Sequence, residues 1–221
     1  MLKNHSKFLT SSPLFLVLCL PFCHGAYVIE QLNGPSNQGN AGTGQSFTPS
    51  VGIVDDPGDS TSTIDLTSFS LYSAGTGGNG SRGTSYLLIY DANPSGTANL
   101  IGASDTTLDL GNTSALTTTS DAQLTWSFDN LTLDYDTKYY AVISQDSTGS
   151  LGTGDIGLGF KRNDANPYAG GNALTNNFAE AGGADLKFSA SLSSPVSAIP
   201  EPSGVLALGF LFGASMLSRR R

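Results

Sequence analysis

The sequence predicts an all-β protein, a single jelly-roll-like β-sandwich carried between an N-terminal signal peptide and a short C-terminal transmembrane tail. Three observations predict it. Apolar residues alternate with polar ones at a period of two in several separate stretches. Turn signals rich in glycine, proline and asparagine recur roughly every ten residues. Between the terminal segments, no stretch keeps a 3.6-residue apolar rhythm for three turns.

At the N-terminus, Lys3 and Lys7 form a basic region and Leu14–Leu20 an apolar run too short to span a bilayer. Cys23-His24-Gly25 follows, with the small residues that signal peptidase reads, so cleavage is expected after Gly25. Residues 1–25 are thus read as a signal peptide, 26–192 as the sandwich, 193–199 as a linker and 200–221 as a separate terminal element. Both cysteines and both histidines (Cys19, Cys23, His5, His24) lie in the leader, leaving neither residue type in the body. Its stability must come from an apolar core, which a chain of about 170 residues is long enough to bury. Five of the chain's ten basic residues also lie in the terminal segments, so the body is more acidic than the overall net charge of −8. An acidic body repels nucleic acid and anionic lipid head groups, and no nucleic-acid partner is expected.

Within the body, Ile64 to Tyr72 runs Ile64, Leu66, then Phe69, Leu71, a slip of one that predicts a β-bulge or kink near Thr67-Ser68. Tyr86–Tyr90 and Tyr139–Ile143 are apolar on both parities and predict central strands covered on two faces. Leu124, Trp126 and Phe128, then Ile156, Leu158 and Phe160, and finally Ala184, Leu186, Phe188, Ala190 and Leu192 each predict a half-buried strand. That parity makes Trp126 a core residue. Turns are expected at Asp55–Asp59, Asn93–Gly96, Thr148-Gly149 and Asn163–Gly171, and disorder at Gly75–Gly83. The low charged content, 13%, suits sheet surfaces covered by serine and threonine.

The C-terminal element combines Pro200-Glu201-Pro202, an apolar run Val205–Leu217 and the cluster Arg219, Arg220, Arg221. As a helix, about thirteen residues would extend roughly 20 Å, short of the ~30 Å hydrocarbon core. The arginines should stay cytoplasmic, leaving residues before Gly204 outside and the inner membrane engaged only transiently. The two prolines hold Glu201 in an extended, accessible peptide. This order of motif, apolar segment and basic terminus resembles the PEP-CTERM sorting signal. The resemblance implies recognition of Pro200, Glu201 and Pro202 by an exosortase-type transpeptidase that removes the tail. The resulting protein would be an exported, non-enzymatic component of the cell envelope or extracellular matrix. Less specifically, Gln45-Ser-Phe-Thr48, Ile64–Tyr72, Leu87–Asp91, Trp126–Phe128 with Asn130, Leu131 and Leu133, and Tyr139–Ser144 follow in an order similar to choice-of-anchor R exported domains. That likeness implies a β-sandwich without known catalysis.

Without histidine or cysteine, the body lacks the means for Ser-His-Asp or Cys-His nucleophiles and for the usual zinc, haem and iron–sulfur sites. No cofactor is expected. Carboxylate chemistry remains open, yet the aspartates read chiefly as turn residues, and no catalytic pair is assigned. Asp55, Asp56 and Asp59 crowd hard oxygen ligands into one turn and are calcium candidates, although they lack the spacing of a calcium loop. Asp91, Asn93 and the Asp105–Asp109 segment read the same way. The alternative function is a carbohydrate-binding module engaging exopolysaccharide, with calcium assisting. Its candidate residues are Tyr168, Asn163 and Asp164, in a polar loop where an aromatic ring can stack on a sugar.

Overall fold

A computed structural model describes residues 26–38, 44–50, 62–77, 83–111, 118–149, 151, 158–175 and 177–193. The expected signal peptide, Asp55, Asp56, Asp59, Ile156 and the element 200–221 lie outside the described residues. The fold is all-β: two antiparallel sheets of seven strands each, consistent with a β-sandwich. Among the described residues no helix is long and apolar enough to cross a membrane.

The first sheet runs β1 (Ala26–Gln31), β14 (Phe188–Ser193), β4 (Thr63–Gly77), β10 (Leu158–Asn163), β13 (Asp185–Leu186), with β2 (Ser36–Gln38) on β10 and β8 (Ser120–Asp134) on β4. The second runs β12 (Ala179–Glu180), β11 (Ala173–Thr175), β3 (Gly44–Phe47), β9 (Tyr139–Ser144), β5 (Thr84–Tyr90), β6 (Leu100–Ala103), with β7 (Leu108–Asp109) on β5.

Alternation along the strands builds the core between the sheets. Phe69 and Leu71 of β4, Leu124 and Trp126 of β8, and Phe188 and Ala190 of β14 meet Phe47, Leu87, Ile89 and Ala141 from the facing sheet. Phe47 crosses to Phe69 at 5.2 Å between ring centroids, and Phe69 stacks on Phe188 at 5.5 Å. Trp126 is fully buried and donates its indole N–H to the Ser85 carbonyl at 3.3 Å. Burying a large apolar side chain contributes about 1.5–3 kcal/mol, so this cluster can hold the fold without disulfides.

β5 and β9 lie side by side inside the second sheet, and their other face is also covered. Leu88, Tyr90, Val142 and Leu174 form a second buried cluster there, with Tyr86, Leu100, Tyr140 and Phe178 packed against it. The first sheet's outer face carries rows of short hydroxyls: Ser189, Ser70 and Thr125 are aligned, as are Ser191, Ser68 and Ser127.

The bulge falls at Thr67. Ser191 pairs with Ser68 while the next residue, Leu192, pairs with Leu66, so β4 holds one extra residue there. The Thr67 hydroxyl donates to the Ser191 carbonyl at 3.1 Å.

Two expectations need correction. Gly75, Thr76 and Gly77 belong to β4, where Gly77 pairs with Leu158 of β10, so ladder pairing orders the start of the Gly75–Gly83 stretch. The run Ala184–Leu192 is two short strands broken at Lys187: Leu186 pairs with Arg162 and Phe188 with Leu71, while both side chains keep facing the core. Ser193, the last described residue, still belongs to β14. In the β1–β14 ladder Ala26 pairs with Ser193, so the first and last described residues sit side by side.

Candidate functional site

One end of the sandwich carries an open cavity of about 590 Å³ lined by Thr48, Ser50, Asp136, Lys138, Tyr168, Ala169 and Gly170. Three connections build it: the exit of β3, the β8–β9 turn and the long loop from β10 to β11. The turn is pinned where the Asp136 N–H donates to the Pro49 carbonyl at 2.7 Å, with Asp136 in the left-handed region (φ 56°) that aspartate tolerates. The loop is pinned by Tyr168, whose hydroxyl accepts the Thr48 N–H at 3.0 Å and donates to the Thr48 carbonyl at 3.2 Å. The Thr48 hydroxyl in turn donates to the Gly170 carbonyl at 2.8 Å.

Behind the loop lies a buried carboxylate, Asp185. It accepts the Tyr168 N–H at 2.9 Å and the Gln45 side-chain amide at 3.0 Å, while Gln45 accepts the Leu186 N–H at 2.8 Å. Burial pushes the Asp185 carboxyl above its usual range, against the pull of the Tyr168 and Gln45 hydrogen bonds. Gly171 permits the loop's closest approach, since a Cβ there would overlap the Ser46 carbonyl.

Beside the cavity, Glu180 gathers three partners: Lys138 at 3.1 Å, the Asn172 amide at 3.1 Å and the Tyr140 hydroxyl. Burial drives its carboxyl upward, but those hydrogen bonds outweigh burial and hold it below its ordinary value. The Tyr140 hydroxyl is pushed up to about 12, by burial first and then by Glu180. Glu180 is therefore a fixed, neutralised anchor, and among the described residues Asp136 is the one carboxylate on the cavity wall.

Of the residues expected to bind sugar, only Tyr168 reaches the cavity. Its ring stands edge-on to Phe188 at 5.2 Å and is half-buried, so it forms a wall and a brace rather than a freely exposed stacking platform. Asn163 is buried and caps its own turn by accepting the Ala165 N–H at 2.9 Å. Asp164 is exposed and pairs with Arg162 at 2.6 Å. Ser50, Asp136 and Lys138 were not singled out from the sequence for this role. They become neighbours through pairing between distant strands, and the acid–turn–base spacing of Asp136 and Lys138 is their only local signal.

The other aspartates considered for calcium serve the backbone. Asp91 accepts both the N–H and the side-chain amide of Asn99, Asp109 accepts the Gly111 N–H, and Asp105 accepts the Asp129 N–H. Among the described residues no group of three or more acidic, histidine or cysteine side chains is arranged to hold a metal ion. No protein-family model matches the chain, and no curated protein matches it in sequence.

Proposed function

We propose that this chain is an exported, non-enzymatic protein of the cell envelope or extracellular matrix, with a jelly-roll-like body delivered by its termini. Signal peptidase removes residues 1–25, and an exosortase-type transpeptidase recognises Pro200-Glu201-Pro202 while Arg219, Arg220 and Arg221 hold the tail at the cytoplasmic face. The observation that carries this reading is the ordered C-terminal element itself: motif, apolar run, arginine cluster. The pairing of Ala26 with Ser193 supports it, because leader and tail then leave the body from one corner. A body tethered at one point can hang clear of the membrane while both junctions stay within reach of membrane enzymes. Replacing Pro200, Glu201 and Pro202 with alanine in a host that carries an exosortase tests this. The variant is expected to stay membrane-bound at full C-terminal length while the parent chain is released or re-anchored; identical processing of both would reject the proposal.

The cavity favours a second reading, a carbohydrate-binding body that engages exopolysaccharide. Its described wall offers hydroxyls, a carboxylate, an ammonium and an aromatic edge, the mixture that hydrogen-bonds and packs against sugars. Asp136→Asn and Lys138→Met remove wall groups without touching the Asp185 brace. Retention on immobilised exopolysaccharide is expected to fall several-fold in each; unchanged retention would dismiss the cavity as the site.

A further inference from the structure

The first sheet ends at β1, a six-residue strand bonded to β14 on one side in uninterrupted register. On its other side, alternate N–H and C=O groups face outward with no partner among the described residues. Natural edge strands are usually protected by lysine, proline, a bulge or brevity. The sequence Ala26-Tyr-Val-Ile-Glu-Gln31 has none of these and carries only Glu30 as a charge. The remaining edges differ. β2, β7, β12 and β13 are two or three residues long, β6 is four residues long with its register on β5 interrupted between Ile89 and Tyr90, and β8 is covered where the Asp105 N–H donates to the Ser127 carbonyl at 2.9 Å. Of the three exposed large apolar side chains among the described residues, two lie on or just after this strand, Val28 at 47% and Leu32 at 45% exposure.

We propose that β1 pairs antiparallel with β1 of a second copy, joining two first sheets into one across a twofold axis at Val28. The strand is self-complementary in that register. Val28 meets Val28 of the second copy on the outer face, Tyr27 meets Ile29, and each Glu30 stands opposite an Ala26. Removal of the leader would place the free α-ammonium of Ala26 beside that carboxylate. Only this ion pair rests on the processing proposed above; the strand pairing does not.

The full chain, with Cys19 and Cys23 changed to serine and its termini defined by intact mass, is examined by sedimentation at about 100 μM. The expected mass is twice that of one chain, falling to a single chain in Val28→Lys. Directly opposed residues bring Cβ atoms within about 4.5–5.5 Å, near disulfide range. Val28→Cys is therefore expected to form a reducible covalent dimer under mild oxidation, whereas Ile101→Cys, on a different strand and also exposed, should not. A single-chain mass for the parent protein, an undiminished dimer in Val28→Lys, or equal cross-linking at both cysteines would overturn the proposal. The cysteine pair keeps the test decisive if Val28→Lys fails to fold.

Discussion

Asp185 shows how one buried residue shapes the cavity end of the molecule. Its carboxylate is the acceptor for a backbone donor in the loop and a side-chain donor on β3. Because burial raises its folded pKa, the stabilisation linked to its titration is full below its unfolded value of about 3.8 and is lost as pH rises through the folded value. Asp185→Asn sets an amide donor against one of these donors, an expected loss of about 1–3 kcal/mol near pH 4. That loss should shrink toward pH 7, as urea melts at both pH values will show. Glu180 has the opposite sign. Its folded value is lowered, so its stabilisation is present above about 4.5 and lost as pH falls through the folded value. Partial exposure keeps Glu180→Gln to under about 1 kcal/mol at pH 7, with no difference expected near pH 3. Backbone contact separates two glycines. Gly171→Ala drives a methyl into the Ser46 carbonyl and is expected to cost about 2 kcal/mol or more, whereas Gly182→Ala meets open space and should leave the thermal midpoint within a few degrees. None of these contacts was legible in the sequence. Asp185 and Gln45 lie 140 positions apart, and Tyr168 reads locally as a loop aromatic until Phe188 and Thr48 are seen to hold it.

Strands were far more legible than contacts, because parity reports directly which face is buried. The Ile64, Leu66, Phe69, Leu71 slip foretold the bulge, since a one-residue change of phase would otherwise turn half the strand's apolar residues to solvent. β8 carries a companion irregularity. Leu66 pairs with Leu131 but Ser68 with Ser127, so β8 holds two extra residues where β4 advances by two. Its apolar parity changes between Phe128 and Leu131, a signal of the same kind that was present in the sequence. Deleting Thr67 puts Ile64, Leu66, Phe69 and Leu71 at strictly alternate positions, so a regular strand can bury all four without the bulge. The deletion variant is therefore expected to keep a cooperative urea transition and to lose about 0.5–1.5 kcal/mol with the Thr67 hydroxyl's bond to the Ser191 carbonyl. Glycine content misled where ladder pairing ordered the start of Gly75–Gly83, and the break at Lys187 was hidden because both flanking strands keep the same inward parity.

For the whole molecule, alternation and turn spacing foretold the all-β, two-sheet architecture, while strand order was closed to sequence reasoning because pairings such as β1 with β14 join distant parts of the chain. That long-range pairing brings Ala26 beside Ser193, the arrangement on which the proposed export route draws. With no cysteine in residues 26–193, the thermal midpoint of the processed protein is expected to be the same with and without reductant. The intact mass of the exported protein tests the route itself most directly. A product that begins at Ala26 and has lost the tail through Arg221 is the expected result; a mature product still ending in Arg221 would contradict it.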